Sequence, residues 1–182
     1  MALKATIFKV TLSVADVGRG YYRDHDLTIA RHPSETDERM MVRVLAFALH
    51  ADDALAFGRG LSTDDEPDLV RCDLTGAIER WIDVGLPDER DIRKACGRAR
   101  EVDVLAYGGR AVELWWQESL EKLERLPRLA VTEVPGDASR ALEQMVRRVM
   151  RLQVTVQDDH VLVADDAASV QLELRKRKVR SG

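Results

Sequence analysis

The 182-residue chain is poor in the residues that build metal or redox centres from sulfur and imidazole. Its two cysteines, Cys72 and Cys96, are too few for a disulfide framework and too far apart for a CxxC motif. Its four histidines are scattered, and no two lie four residues apart. The GxGxxG, GxxxxGK(S/T), GxSxG and HExxH signatures are also missing. These absences remove the main support for a zinc site, a nucleotide-binding fold or a serine hydrolase.

Long apolar runs and secretion signals are missing as well. Charged residues interrupt every hydrophobic stretch before it reaches the ~20 residues of a membrane span. The start, MALKATIFKV, does not have the order of regions that marks a signal peptide. The sequence therefore predicts a cytoplasmic protein with no membrane partner. Acidic residues outnumber basic ones by 32 to 28, so a net charge of −4 gives no global attraction to nucleic acid, and local patches are what would be needed.

The length and an apolar content of 45% predict one globular domain over residues 1–182. No internal repeat or long linker divides the chain. The last residues, 175–182, are basic, which suits either contact with nucleic acid or a solvated tail. We expect a disordered tail, because chain ends are often poorly ordered.

The spacing of apolar residues predicts a mixed α/β fold. Residues 5–14 alternate as in a strand, and residues 26–30 can pair back on them as a hairpin. Ser34 is placed to cap a helix over 34–52. Strands then alternate with helices as in βαβ units, with strands at 68–74, 77–84, 102–107 and 129–134 and helices at about 88–99, 110–123 and 137–151. A hairpin across Asp158 and Asp159 and a final alternating strand follow.

Three acidic residues form the most informative constellation. Asp68 opens one short predicted strand, Asp83 closes the next, and Glu38 lies about one turn into the preceding helix. If the two strands are adjacent, these carboxylates form a ligand set for a hard cation such as Mg²⁺ or Mn²⁺, which could polarise a phosphodiester and activate a water. The alternative for each acid alone is a solvated surface carboxylate or, for Glu38, an acid favoured by the helix dipole.

Several segments resemble the YaeQ family. They are RHPSETDERMMVRVLAF, GLSTDDEPD, WIDVGLPDERDIRKAC and the pair Trp115 and Trp116, and the similarity runs over nearly the whole chain. The resemblance implies a variant of the PD-(D/E)XK nuclease fold, with a mixed central sheet flanked by helices and an added β-rich portion from the chain ends. It also implies catalytic positions for Asp68 after Pro67, for Asp83 and for Glu38.

One position departs from the nuclease pattern. Two residues after Asp83, where the superfamily has a lysine, this chain has Gly85. Lys94, on the following predicted helix, is a candidate replacement and the fourth candidate catalytic residue. The chain has six lysines against 22 arginines, and Lys94 is the only lysine between Lys9 and Lys122. The alternative is an ordinary surface lysine that pairs with a neighbouring acid on its helix.

Basic and aromatic residues supply further candidates. Arg31, Ser34 and Arg39 surround a predicted helix N-terminus, where free amides favour a phosphate, so we expect them to bind substrate. A salt-bridged helix cap is the alternative. The three tryptophans could stack on bases, but their positions inside strand and helix patterns favour the core.

Two functions are compatible with the sequence. In the first, the protein is a metal-dependent nuclease or phosphodiesterase acting on nucleic acid, with Glu38, Asp68 and Asp83 as ligands and Lys94 orienting the water. In the second, the nuclease-like fold has lost catalysis and serves as a binding or regulatory module for nucleic acid or protein. The intact acids and Lys94 favour the first, whereas Gly85 and the acidic pI near 5.6 favour the second.

Overall fold

A computed structural model describes residues 4–59 and 65–181. The strands are β1 (Thr6–Asp16), β2 (Tyr21–Arg31), β3 (Leu55–Phe57), β4 (Leu69–Cys72), β5 (Ile78–Val84), β6 (Ala99–Ala106), β7 (Leu129–Glu133), β8 (Val149–Gln157), β9 (His160–Ala164), β10 (Ser169–Glu173) and β11 (Arg175–Lys178). The helices are α1 (Asp37–Leu49), α2 (Glu89–Arg98), α3 (Arg110–Leu123) and α4 (Gly136–Glu143). The predicted mixed α/β fold is confirmed. The loop predicted before Asp68 includes 60–64, which lie outside the described residues.

The chain ends build a five-stranded sheet in the order β10-β9-β8-β1-β2. The predicted N-terminal hairpin is present, because β1 pairs antiparallel with β2 over its whole length. On its other side β1 pairs parallel with β8. Alternate residues of β1 are buried, and the residues between them face outward, so one face of the sheet packs on the core. The predicted β9 hairpin turns at Asp158, which has a φ of 54°.

The second sheet has six strands in the order β11-β7-β6-β5-β4-β3. Its centre is parallel, since β5, β6 and β7 pair in the same direction. The crossover helices α2 and α3 agree with the predicted βαβ units. They pack on a core that contains Trp81 and Trp116, while the Trp115 indole donates to the Pro87 carbonyl at 2.9 Å. Trp81 and Trp116 are therefore core residues, as expected.

Helix α1 lies between the two sheets. It contacts β1 of the first sheet and β4 and β5 of the second, and the run Met40–Ala48 is buried on every side. A helix that is apolar all round is a buried helix. Its predicted start was wrong: Thr36 is the N-cap and accepts from the Arg39 amide at 3.1 Å, whereas the Ser34 hydroxyl bonds to His32.

The predicted helix 137–151 was also wrong beyond its first half. Helix α4 ends at Glu143, and β8 begins at Val149. Met150 and Leu152 are buried and alternate with exposed neighbours, which suits a strand. The parallel pairing with β1, a contact that no local pattern reveals, decides this segment in favour of strand.

The basic segment at the C-terminus also differs from its prediction, which was a disordered tail. Residues Arg175–Lys178 form β11, which pairs antiparallel with β7. The Arg177 guanidinium makes two contacts to buried Glu133, at 2.7 and 2.6 Å, and Arg180 contacts Asp103 at 2.5 Å. A buried carboxylate needs a hydrogen-bonded cation, so these arginines order a segment whose composition suggests disorder. No helix among the described residues is long and apolar enough to span a membrane.

Candidate functional site

Asp68 and Asp83 meet where β4 begins and β5 ends. Leu69 pairs with Ile82 in the antiparallel register, which brings the residues just outside that pair opposite one another. The Asp68 amide donates to Asp83 Oδ1 at 3.4 Å, and the Val84 amide donates to Asp68 Oδ2 at 2.8 Å. The two aspartates of the predicted constellation are therefore adjacent, at the carboxyl end of a parallel strand, where ligands bind in many open α/β sheets.

The charge of Asp83 is poorly compensated. Burial, and next the negative charge of Asp68, raise the pKa of Asp83 to about 7. The Trp81 indole, which donates to Asp83 Oδ2 at 2.9 Å, the Asp68 amide and the Arg39 charge oppose the rise without cancelling it. A carboxyl with this pKa is partly protonated at neutral pH, whereas an ordinary aspartate is fully ionised.

Arg39 is the cation beside this pair. Its Nη2 donates to Asp68 Oδ1 at 2.7 Å and its Nη1 donates to Glu35 Oε1 at 3.0 Å. Glu35 is buried and also accepts two hydrogen bonds from Arg43, both at 2.7 Å. Arg39 therefore joins a compensated carboxylate, Glu35, to the acid pair.

Glu38 lies on the same helix but bonds to a different element. Its Oε1 accepts from the hydroxyl of Ser139, a fully buried residue of α4, at 2.7 Å. Among the described residues, no three carboxylate, histidine or cysteine side chains come together as a metal-binding group. Asp68 and Asp83 are thus the two acids that the structure joins, and Glu38 connects α1 to α4.

Lys94 has ion pairs on the surface of α2. Its Nζ lies 3.5 Å from Asp65 and 3.8 Å from Asp91, and its side chain is 54% exposed. The contact with Asp91 agrees with the alternative interpretation, in which Lys94 is a surface lysine that pairs with an acid on its own helix. Its salt bridges within the described residues include neither aspartate of the acid pair.

The other two candidate substrate-binding residues serve the turn before α1. Arg31 pairs with Asp37 and lies over the Phe8 ring, with its guanidinium carbon 5.3 Å from the ring centre. Ser34 hydrogen-bonds to His32 at 2.7 Å. Of the three predicted phosphate-binding residues, only Arg39 reaches the acid pair.

Sequence reasoning missed Glu35, Arg43 and Ser139. The first two could have been found, because Glu35, Arg39 and Arg43 are spaced by four residues and so share one side of the chain at the start of α1. Ser139 gives no local signal, since its partner Glu38 lies 101 residues away in the chain.

Comparison with known proteins agrees with the fold. The family model described as YaeQ protein matches residues 1–174. The proteins named Uncharacterized protein YaeQ from Escherichia coli (strain K12) and Salmonella typhi are each 45% identical over 175 residues, which cover 96% of this chain and 96% of each relative. The crystal structure of YaeQ from Xanthomonas axonopodis pv. citri has a TM-score of 0.93 at 50% identity and covers 98% of this chain and 99% of its own.

A second solved structure, YaeQ from Pseudomonas syringae, has a TM-score of 0.92 at 35% identity, with 98% of both chains covered. Sequence and structure therefore agree over almost the whole length of the chain. The chain belongs to the YaeQ family.

Proposed function

We propose that this protein is a divalent-cation-dependent phosphodiesterase that acts on nucleic acid in the cytoplasm, on a variant of the PD-(D/E)XK nuclease fold. Asp68 and Asp83 hold Mg²⁺ or Mn²⁺ in this proposal. The observation that carries it is the adjacency of the two carboxylates, together with a pKa of about 7 for Asp83. Carboxylates that repel one another in the protein alone are relieved when a cation binds between them.

The donor set fits a magnesium-type cation. Such ions are commonly held by one or two carboxylates, with water and substrate phosphates in the other positions, and Asp68 and Asp83 supply two. When bound, the cation would polarise the phosphodiester and lower the pKa of a water. Glu38 is a third ligand in this proposal only if it exchanges its bond to Ser139.

Arg39 has the substrate-binding role in this proposal. A guanidinium carries five N–H donors, and Arg39 uses Nη1 on Glu35 and Nη2 on Asp68. Its remaining donors suit a phosphate oxygen placed next to the acid pair. We assign no catalytic role to Lys94, because its amine already pairs with Asp65 and Asp91.

The second candidate function is a binding or regulatory module without catalysis. The surface position of Lys94 favours it, because no lysine then stands in for the one that Gly85 replaces. This alternative predicts binding to nucleic acid or protein without cleavage.

The experiment compares the wild type with Asp83→Asn and with Asp24→Asn. Asp24 is an exposed aspartate on β2, in the other sheet, and serves as the matched control. Calorimetric titration with Mn²⁺ and Mg²⁺ should show binding by the wild type and by Asp24→Asn, and binding reduced at least tenfold in Asp83→Asn. The same order should hold for cleavage of single-stranded, double-stranded and structured DNA and RNA.

The outcomes separate the two functions. Cation binding with cleavage that Asp83→Asn removes supports the phosphodiesterase. Gel-shift binding to one of these substrates at low salt, with no cleavage in either metal, supports the module. Equal cation binding by the wild type and Asp83→Asn contradicts the proposed ligand role of Asp83.

A further inference from the structure

A cavity of about 250 Å³ lies between the two sheets, at the end of α1 opposite to Arg39. Its lining comes from both sheets and from the C-terminus of α1. The apolar part of the wall includes Leu49, Leu105 and Val156, and the polar part includes His50 and Asp103. Small-molecule sites are typically concave, mostly apolar and equipped with a few fixed polar groups, with volumes from about 300 Å³ upward. This cavity has that character, with a volume slightly below that range.

His50 presents a defined donor to the cavity. Its Nδ1 lies 2.6 Å from Arg80 Nη1, and because a guanidinium only donates, Nδ1 is the acceptor in this contact. Burial lowers the pKa of His50 to about 4, and the charges of Arg80 and Arg180 add to this effect while the charge of Asp103 opposes it. The imidazole is therefore neutral at pH 7, and its one proton is on Nε2.

The Nε2–H group faces an acceptor that it does not reach. Asp103 Oδ1 lies 4.0 Å from His50 Nε2, which is too long for a hydrogen bond. One oxygen placed about 2.8 Å from each atom could accept from Nε2–H and donate to Oδ1. Only a group that both accepts and donates satisfies both atoms, and a hydroxyl is the simplest such group.

The charges around the cavity are already paired. Asp103 contacts Arg180 at 2.5 Å and Arg80 at 3.4 Å, and Asp16 contacts Arg19 at 2.7 Å. Two further lining residues, Asp159 and Lys176, pair with each other at 3.0 Å. The remaining lining acid, Asp158, is exposed, where water screens it. A charged ligand would thus lose its hydration in the cavity without gaining an uncompensated charge as its partner.

From this geometry we propose that the cavity binds a small neutral molecule that carries a hydroxyl group on an apolar body. The hydroxyl bridges His50 Nε2–H and Asp103 Oδ1, and the apolar body packs on the side chains of the two sheets. The proposal is independent of the acid pair, because the two sites lie at opposite ends of α1.

Three probes of similar shape test the proposal: benzyl alcohol, toluene and benzylamine. We titrate each into the wild type at pH 7 and follow the backbone amides of the cavity lining and the His50 imidazole by NMR. Benzyl alcohol should shift these signals saturably. Toluene cannot bond to either group, and we expect about tenfold weaker binding from the lost hydrogen bonds. Protonated benzylamine has no acceptor for Nε2–H and should also bind about tenfold more weakly.

A pair of glycine variants gives the site-specific control. Gly18 lines the cavity, and a Cβ there would meet only Asp16 Oδ1, at 3.7 Å, so Gly18→Leu adds bulk without a backbone clash. Gly97 is exposed on α2 with open space around it, so Gly97→Leu is the matched control. Benzyl alcohol binding should weaken at least fivefold in Gly18→Leu and stay unchanged in Gly97→Leu.

Three results would overturn the proposal. They are no saturable shift with benzyl alcohol, equal affinity for the three probes, and undiminished binding in Gly18→Leu. The comparison of the probes uses the wild type alone, so it decides the proposal even if Gly18→Leu does not fold. Water bridging the two groups, with no ligand function, predicts the first of these results.

Discussion

Two acids near the start of α1, buried Glu35 and half-buried Asp83, differ in how their negative charge is compensated. Glu35 accepts hydrogen bonds from both Arg39 and Arg43, and all of these contacts are between 2.7 and 3.0 Å. Asp83 has an indole and an amide as its donors, lies beside a second carboxylate, and has a pKa raised to about 7. The first arrangement is expected of an acid that supports the fold, and the second of an acid kept for binding or chemistry.

This difference orders the expected effects of substitution. Removing a compensated acid should destabilise the protein, because its cations are left buried and unpaired. Removing an uncompensated one should relieve repulsion. Four variants test this comparison.

The largest effect is expected for Glu35→Gln. The change leaves Arg43 buried and Arg39 partly buried without their shared carboxylate, and breaking a buried pair costs about 3–5 kcal/mol. Urea unfolding measures the loss. The control is Glu121→Gln, which removes an exposed partner of Arg125 at the same four-residue spacing and should cost less than about 0.5 kcal/mol. Equal losses in the two variants would mean that the buried network has no special role.

The second effect is a gain of stability in Asp83→Asn. Because the folded pKa of about 7 exceeds the unfolded value of about 3.9, folded wild type binds more protons than unfolded wild type between pH 4 and 7. The contribution of Asp83 to the free energy of unfolding should therefore be fully present below about pH 4 and be lost as the pH rises to about 7. Asp83→Asn lacks this loss of stability and should be more stable than the wild type at pH 8 in EDTA, by up to about 4 kcal/mol for a shift of about three pKa units.

The control for this pH dependence of the free energy of unfolding is Asp73→Asn. The Thr75 hydroxyl and backbone amide lower the pKa of Asp73, so its contribution has the opposite sign and is lost as the pH falls. Urea unfolding at several pH values measures both slopes. If Asp83→Asn keeps the wild-type slope between pH 4 and 7, Asp83 is not the uncompensated acid.

The third effect concerns Ser139→Ala. The substitution removes the hydroxyl that donates to Glu38 and should cost about 1–2 kcal/mol, because the carboxylate loses a charge-assisted bond. The Mn²⁺ affinity of this variant tests whether Glu38 can act as a metal ligand. Tighter binding in Ser139→Ala would indicate that freed Glu38 joins Asp68 and Asp83 as a ligand, and unchanged affinity would limit the site to the two aspartates.

The smallest effect is expected for Lys94→Met. Its amine forms exposed ion pairs with Asp65 and Asp91, and such pairs contribute less than about 1 kcal/mol. Thermal unfolding should be nearly unchanged, and any magnesium-dependent cleavage should persist. A complete loss of cleavage with unchanged folding and cation binding would return Lys94 to the catalytic role that the sequence first suggested.

Much of the fold could be predicted because its signals are local. Glycine and proline breaks and apolar spacing located α3 at about 110–123, where the structure has it, and predicted 68–74 and 77–84 as consecutive strands, which the structure pairs as β4 and β5. The adjacency of Asp68 and Asp83 was expected on the condition that these two strands are neighbours, and the structure meets that condition. Segments decided by distant pairing could not be predicted. The helical spacing around 144–151 gives way to the parallel ladder with β1, and the basic segment 175–178 is ordered by Glu133 of β7.

The same distinction holds within the candidate site. The sequence predicts which acids lie at strand ends, but it does not predict which basic side chain pairs with them. Arg39 contacts Asp68 because α1 is packed between the sheets. Lys94 instead contacts Asp65, in the segment before β4. From the sequence alone Arg39 and Lys94 are equally good candidates for this cation, and only three-dimensional packing distinguishes them.

The most direct test of the account is a ¹³C NMR titration of the Asp83 carboxyl group, with and without saturating Mg²⁺. Because burial and the charge of Asp68 act on Asp83, we predict a pKa near 7 in the metal-free protein. The proposed cation site further predicts that Mg²⁺ lowers this pKa, since a cation held by both aspartates favours the ionised form. A metal-free pKa near the ordinary value of about 3.9, or a raised pKa that saturating Mg²⁺ leaves unchanged, would contradict it.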